Sequence, residues 1–432
     1  MSLQERVDAF RTRFKLTSHH TIERFGIMVA FLLISFLIVG TGAGVSAFTS
    51  TRHDRDNTVL YTGEFTTSKV SRSGETSGVF VNDDKSQALV LMKFTDIAAM
   101  PKDASQYATF LTGYTFGDTK RYITQPVSAQ TIVFGSTGYM GVLFTSDRPF
   151  EPMVYTLTIR NKANITTGEE RMSEDEIQNR YGGDTTFAEY EQWRIGFNPT
   201  ADQAQPLKTL NSYDVQPSEL YNELLIAPEE HKLREEAQKD LETLKADLNA
   251  IESAQTSVLK TKVDNISVTM PPMPRFIQGD KIEGNEPSGS DPVASSTLSL
   301  KTDNVFPGGW NYNWRDGSVQ DGYLDDIVPQ GQSYVDFLQA HKDEDNSSDT
   351  SVGNIVWTLS NGEPLTEDTE GGPLQPLVDA KVELEGAMEK YLTDKEKYQK
   401  DTLGGIIDLE VQMRSVESAS TVNASAEDFE VY

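Results

Sequence analysis

The longest run of hydrophobic positions lies near the amino terminus. Between Arg24 and Arg52, residues 25–48 carry no charged side chain. As a helix rising about 1.5 Å per residue, this run would reach roughly 36 Å, enough to cross a hydrocarbon core of about 30 Å. Basic residues are more frequent before the run than just after it, which predicts a cytoplasmic amino terminus. We therefore expect a transmembrane helix over 25–48 in a single-pass plasma-membrane protein whose bulk is extracytoplasmic.

A second interpretation of the same run is a cleaved signal peptide. The small residues over 45–47 stand where signal peptidase cuts, and cleavage near Ala47 would release the rest of the chain as a secreted protein. The flank before the run is long for a signal peptide and contains Glu5, Asp8 and Glu23. A retained anchor is therefore the preferred prediction.

The run and the segment before it offer two surfaces for contact with the membrane or with a second copy. Residues 1–24 form a basic amphipathic segment. Such a segment is typical either of a helix that lies on anionic lipid or of an irregular tail whose positive charge only sets the membrane orientation. The predicted membrane-interface residues are Leu3, Val7, Phe10 and Phe14. Gly40 and Gly44 form a GxxxG spacing that permits close helix packing in a bilayer, although the spacing is common by chance.

Short hydrophobic stretches separated by turn-forming residues follow the run. They are rich in β-branched and aromatic residues, and within 155–159 apolar and polar positions alternate as in a strand buried on one face. We predict an all-β, sandwich-like extracytoplasmic domain over 57–163. Residues 164–227 are polar and mixed, and we interpret them as a connecting region with one short helix around 173–181.

Two long segments instead place apolar residues at heptad spacing. The first, 228–262, contains no glycine and no proline after Pro228, whereas the second, 376–418, contains Gly404 and Gly405. A narrow apolar stripe on a charged helix requires a helical partner, so we predict a coiled coil. The seam residues are Leu241, Leu244, Leu248, Ile251 and Val258 in the first helix, and Leu377, Leu384, Tyr391, Tyr398 and Leu409 in the second.

Spacing leaves the pairing of these helices open. Within one chain they would form an antiparallel hairpin that carries residues 263–375 at its tip, and between chains each helix would pair with its counterpart. The bracketed residues combine short hydrophobic stretches with polar loops, which predicts an inserted β-rich module with acidic loops. We expect a disordered tail over 419–432. The fold class predicted for the whole chain is multidomain α+β with one amino-terminal transmembrane helix.

Composition and charge exclude several functional classes. The chain has 38 basic and 66 acidic residues, for a formal charge of −28, and this field repels nucleic-acid phosphates. With no cysteine and five histidines, the chain has no disulfide or thiolate chemistry and little material for histidine catalysis. It also carries no hydrolase-nucleophile, phosphate-loop or dinucleotide motif. We therefore expect no nucleic-acid partner, no enzymatic activity and no catalytic residue.

Two weak metal-binding patterns remain. Asp343, Asp345 and Asp349 alternate like the start of a calcium loop, but the glycine and closing glutamate of an EF-hand are out of register. His231 and Glu235 lie four residues apart on one predicted helix, where a solvated helix start explains both. We predict no cofactor and no metal site, with calcium at the acidic loop as the weaker alternative.

The segment 308–315 is the most distinctive short motif, because aromatic residues alternate with amides there. Trp310, Tyr312 and Trp314 either form one face of a buried strand or contact a ligand or partner.

From the architecture we predict a scaffold or stalk subunit of a cell-envelope assembly, of the secretion or conjugation type. Its partners would be the lipid bilayer, other envelope proteins and, through the GxxxG or the coiled coil, a second copy. A surface adhesin or carbohydrate-binding protein using the Trp-rich loop is the alternative function, and a cell-wall hydrolase is the third.

Overall fold

The computed structural model describes residues 60–69, 72–95, 100–113, 115–116, 119–120, 122–162, 173–288, 291–342, 352–365, 372–416, 419–423 and 429–431. The predicted membrane-interface residues, the hydrophobic run with its GxxxG, the possible cleavage point and the calcium candidates all lie outside these ranges. Within them, no helix combines the length and the hydrophobicity needed to cross a bilayer. The described chain is mixed α+β, with sheets and two long helices, which confirms the predicted class at that level.

Two sheets make up the first part of the fold. The larger has the order β1-β2-β3-β8-β7-β16 with β11 alongside β2, and the smaller has the order β10-β9-β4-β17. The larger sheet consists of β1 (Glu64–Thr66), β2 (Ser73–Val81), β3 (Gln87–Phe94), β7 (Val127–Val133), β8 (Tyr139–Ser146), β11 (Gln205–Pro206) and β16 (Ser420–Asn423). The smaller consists of β4 (Tyr107–Gly113), β9 (Tyr155–Asn161), β10 (Glu191–Phe197) and β17 (Phe429–Val431), and β5 (Thr115–Phe116) pairs with β6 (Thr119–Lys120) in a separate hairpin.

The two sheets face each other across one hydrophobic core. Trp193 of β10 lies at its centre, stacked on Phe65 at 6.2 Å and edge-on to Phe94 at 5.2 Å. Strand β10 lies within the predicted connecting region, yet it pairs along its whole length with β9. Strand β10 therefore belongs to the smaller sheet, although it lies after the predicted boundary at residue 163.

The predicted short helix of the connecting region is present as α1 (Glu174–Tyr181), followed by α2 (Thr186–Glu189). The side chain of Ser173 accepts a hydrogen bond from the Glu176 amide at 3.2 Å, as an N-cap does. Gly182 ends the helix with a φ of 63°, a left-handed conformation that favours glycine.

The outer face of the larger sheet is covered by helices. Phe134, the residue after β7, contacts Tyr221 with ring centroids 5.5 Å apart, and Tyr139 of β8 contacts the same ring at 6.1 Å. Residues of β3 are consequently buried on both faces, since Leu89 and Val90 are both fully inaccessible. This double burial explains why β3 is a continuous hydrophobic run rather than an alternating one.

Two long helices follow, and the first contacts the sheet through Tyr221 near its amino-terminal end. The first consists of α3 (Pro217–Tyr221), a π-turn (Asn222–Ile226) and α4 (Ala227–Lys260). The second consists of α8 (Gln375–Lys397), a π-turn (Tyr398–Thr402) and α9 (Leu403–Val416). Lys390 contacts Asp247 at 2.6 Å and Lys397 contacts Asp240 at 2.9 Å. Because the higher number on one helix meets the lower number on the other, the helices are antiparallel within one chain.

Most of the residues predicted for the seam are buried. Leu248 is half-buried, and the other nine seam residues are buried. Gly404 and Gly405 lie inside α9 and do not interrupt it. A Cβ atom on Gly405 would lie 3.2 Å from Leu233 Cδ1, so this glycine allows the two helices to approach closely.

The inserted module, which lies between the two long helices in the chain, has much less β-structure than predicted. Its elements are β12 (Val268–Thr269), β13 (Lys281–Glu283), α5 (Pro292–Ser295), β14 (Ser299–Lys301), α6 (Leu324–Ile327), α7 (Tyr334–Lys342) and β15 (Thr358–Leu359). It packs along the helices in the same core as they do, not at the tip of the hairpin. Some backbone amides of the module donate hydrogen bonds to side chains of the long helices and not to a neighbouring strand. Glu410 accepts from the Tyr323 amide at 2.7 Å, and Glu230 accepts from the Val319 amide at 3.1 Å.

Within 419–432, where a disordered tail is expected, the described residues form two strands. Strand β16 pairs antiparallel with β7, and β17 pairs parallel with β4. The Ser420 hydroxyl accepts a hydrogen bond from the Ala104 amide at 2.9 Å. A polar segment of this kind gains order from backbone hydrogen bonds to sheet edges, which a search for local hydrophobic periodicity does not detect.

Candidate binding cleft

A cleft of about 490 Å³ lies between the inserted module and the second long helix. One wall is the continuous segment 297–303, the other is the segment 311–316, and Tyr398 closes the inner end. Most of the accessible side chains are polar or charged: Thr297, Ser299, Lys301, Asp303, Asn311, Asn313 and Asp316. We call this feature the polar cleft.

Strand β14 forms the centre of the first wall. Leu298 and Leu300 are buried in the core, while Ser299 between them is half-buried and Lys301 is exposed. This alternation is what a strand with one buried face requires. On one edge β14 pairs antiparallel with β13, with Leu300 opposite Ile282.

The second wall is a turn held in place by Arg315. The Asn313 side-chain amide donates to Asp316 Oδ2 at 2.6 Å, which closes the turn. Arg315 Nε donates to the Ser296 carbonyl at 3.1 Å, and its Nη2 donates to the Gln238 side chain on α4. Its guanidinium lies 3.8 Å from the centre of the Trp314 ring. Desolvation lowers the pKa of Arg315, and the side chain fastens both walls to the helix layer.

The inner end of the polar cleft is built by the π-turn of the second helix. A π-turn widens the helix and frees backbone groups for other partners. The Gln399 carbonyl accepts from the Trp310 amide at 3.0 Å, and the Gln399 side chain accepts from the Phe306 amide at 3.0 Å. The Leu403 carbonyl accepts from the Tyr312 hydroxyl at 3.1 Å. Burial raises the pKa of Tyr398 to about 12, so this phenol is neutral at ordinary pH.

Of the three aromatic residues proposed from the sequence to contact a ligand, two line the cleft and one does not. Trp310 is buried against His341, with ring centroids 4.0 Å apart, and does not line the cleft. Tyr312 and Trp314 do line it, but Trp314 is only 1% exposed and its ring is covered by Arg315. The aromatic residues thus belong to the core, although no regular strand forms over 309–313.

A buried charge pair beside the cleft was not predicted from the sequence. Lys395 Nζ lies 2.6 Å from Asp280 Oδ2, and neither side chain is exposed. Three more oxygens lie within hydrogen-bond distance of the same ammonium, the carbonyls of Phe276 and Asn304 at 2.8 Å and the hydroxyl of Thr302 at 3.0 Å. Desolvation lowers the pKa of Lys395, and Asp280 opposes that shift. The one sequence signal was a lysine at an apolar position of the heptad register.

Among the described residues, no cluster of three or more His, Asp or Glu side chains is suited to holding an ion. His231 Nδ1 lies 3.8 Å from Glu235 Oε1, and the two side chains are 69% and 56% exposed. They are placed as a solvated pair at the start of α4.

Comparison with known proteins found no match for this chain among family models, curated proteins or solved structures.

Proposed function

We propose that the chain is a non-enzymatic, membrane-anchored interaction protein that acts as a scaffold in a cell-envelope assembly of the secretion or conjugation type. The hydrophobic run over 25–48 would be the anchor, with the amino terminus in the cytoplasm and the described body outside. Its partners would be the lipid bilayer, other envelope proteins and a second copy through Gly40 and Gly44.

The observation that supports the proposal best is that the elements after the hydrophobic run pack against one another. The start of the first long helix contacts the larger sheet, the inserted module shares the core of the helices, and β16 returns to the sheet in which the described chain begins. Residues 49–63 separate the run from β1, and at 3.3–3.6 Å each they span at most about 54 Å. A body tethered so closely would present its partners at a limited distance from the bilayer.

The helix pair contributes stiffness to this scaffold. The heptad pattern over 228–262 and 376–418 supports packing of the coiled-coil type along the pair, and we include that packing in the proposal. The start of the first helix contacts the larger sheet through Tyr221, and the inserted module packs along the pair. This placement supports a compact scaffold more than a freely projecting stalk.

The described residues favour the alternatives less. Carbohydrate binding by the Trp-rich loop requires exposed aromatic faces, whereas Trp310 and Trp314 are 8% and 1% exposed. No feature of the described residues favours the cell-wall hydrolase.

The test uses the full chain in native membrane vesicles. The chain should stay in the pellet after an alkaline carbonate wash, and its mass should include residues before Ala47. Replacing Leu33 and Leu37 with lysine should abolish this retention, because charged side chains are strongly disfavoured in the hydrocarbon core. Lysines at the exposed Tyr122 and Tyr213 are the matched control and should leave retention unchanged.

Crosslinking of the same vesicles followed by mass spectrometry tests the scaffold. Envelope proteins should be recovered with the chain. A mature chain that begins near Phe48, or recovery of nothing but free monomer, would contradict the proposal.

A further inference from the structure

We infer that the polar cleft binds an extended peptide segment of a partner protein, which adds as a third strand to the β13–β14 hairpin. The inference rests on the proposed function as an interaction protein and names the chemistry of one partner contact. Its basis is the free edge of β14.

Strand β14 uses one of its two edges for pairing. Within the described residues, β13 and β14 form a sheet of two strands with no further neighbour. The lining of the polar cleft includes every residue from Thr297 to Asp303 and none from β13, so the cleft runs along the other edge of β14. The backbone N–H and C=O groups on such an edge are the groups that an added strand pairs with. A sheet of two strands is also marginal by itself, so a third strand would stabilise it.

The opposite wall complements a peptide. Asn311 and Asn313 are exposed and line the cleft, and their amide side chains can both donate to and accept from a peptide backbone. Two basic and two acidic side chains also line it, Lys301, Arg315, Asp303 and Asp316. The formal charges therefore cancel, which suits an uncharged backbone better than a strongly anionic or cationic ligand.

A carbohydrate fits these walls less well. Sugar rings are held by stacking on open aromatic faces, and the Trp314 ring is already covered by Arg315 at 3.8 Å. The side-chain amides of Asn311 and Asn313 can bind either a peptide or a sugar. The experiment must therefore also detect glycan binding.

The experiment uses the full chain in detergent and exploits its lack of native cysteine. Asn311→Cys, alkylated with a bulky maleimide, blocks the polar cleft, and Tyr213→Cys, alkylated in the same way at a fully exposed loop position, is the matched control. Unchanged thermal unfolding of both alkylated proteins shows that neither modification disturbs the fold. The probe is a phage-displayed library of random dodecapeptides, from which an enriched peptide is synthesised.

The enriched peptide should bind the unmodified chain and the Tyr213→Cys control equally, and blocking at Asn311→Cys should weaken binding by about tenfold or more. Strand addition also predicts alternation: N-methylation of every second peptide amide should abolish binding, and N-methylation of the amides between them should not. Failure to enrich any peptide, binding that survives the block, or equal tolerance of all N-methylations would overturn the inference. Binding to a glycan array that is lost on blocking would reassign the cleft to carbohydrate. These outcomes are independent of carbonate retention and crosslinking, so failure here is distinguishable from failure of the proposed function.

Discussion

Lys395 and Asp280 form an ion pair of 2.6 Å in which neither side chain reaches solvent. The lysine is on α8 and the aspartate is in the inserted module, immediately before β13. Tyr391, one helical turn before the lysine, also donates its hydroxyl to the same carboxylate oxygen at 2.6 Å. Two side chains on one face of the helix thus hold the segment that leads into the β13–β14 hairpin, which forms one wall of the polar cleft.

Replacing Lys395 with methionine should be strongly destabilising. The substitution leaves the Asp280 carboxylate buried without its counter-charge, and removal of one partner of a buried pair costs about 3–5 kcal/mol. Denaturant unfolding measures the change in the free energy of unfolding, and an unchanged m-value shows that the two proteins expose the same surface on unfolding. The double variant Lys395→Met with Asp280→Asn should recover part of the loss, because no uncompensated charge then remains. A single variant as stable as the wild type would show that the pair does not hold the module.

Asp247→Asn should alter the pH dependence of stability. Desolvation raises the pKa of Asp247, helped by the neighbouring Asp394 and opposed by Lys390. Asp394 moves the other way: burial alone would raise its pKa, but hydrogen bonds with Lys390 and Asp247 lower it. Lys390 bridges the two carboxylates at 2.6 and 2.8 Å.

The direction in which stability changes with pH follows from whether the folded or the unfolded chain loses the Asp247 proton at the lower pH. As the pH rises above the ordinary carboxyl pKa of about 4, the unfolded chain loses this proton before the folded chain does, so folding loses stability. The stability of the wild type relative to Asp247→Asn should therefore decrease as the pH rises from about 4 to about 7. Urea unfolding across that range measures it, and Glu389→Gln, an exposed carboxylate beside Lys390, should leave the profile unchanged. A difference that grows with pH would contradict the assignment.

Trp310→Ala should behave as a core substitution. The indole is 8% exposed and packs against His341 and the backbone of Gly404. Truncation of a buried tryptophan costs about 3–5 kcal/mol, while Tyr213→Ala at a fully exposed site should stay within about 0.5 kcal/mol. Equilibrium unfolding of both variants tests the difference. A nearly neutral Trp310→Ala would point back to a role in contacting a ligand.

Removing residues 420–432 should promote self-association. The deletion uncovers the edge of β7 in the larger sheet and the edge of β4 in the smaller one, and exposed edges pair with other chains. Sedimentation velocity of the truncated and full chains in the same detergent should show larger species for the truncated chain. Identical sedimentation of the two would mean that these strands do not protect the edges. Ser420→Ala, which removes the hydroxyl contacts with Ala104 and Asp103 but leaves the strand, is the mild control.

Several elements could be predicted because their evidence is local. The heptad positions from Leu241 to Val258 mark one face of a helix, and that face is buried. The alternation over 155–159 likewise marks β9, where Tyr155, Leu157 and Ile159 are fully inaccessible. In each case the spacing of apolar residues reports which face avoids water, whatever covers it.

The inserted module and the tail could not be predicted in this way. Their backbone groups are satisfied by distant partners, such as Glu410 for the amides of Tyr323 and Leu324 and β7 for the residues of β16. Lys395 interrupts the apolar heptad, and its role depends on Asp280, which is 115 residues away in the chain. A polar residue gives no local indication of whether it faces water or a buried counter-charge.

The sequence by itself therefore determined the existence and the buried faces of the long helices and several of the strands, because hydrophobic periodicity is a property of neighbouring residues. Only the tertiary structure decided that the helices pair antiparallel in one chain, that β10 and the tail complete the sheets, and that β14 borders a polar cleft. These relationships join groups far apart in the chain, where hydrogen bonds and charge pairs select the partner after the hydrophobic faces have been buried.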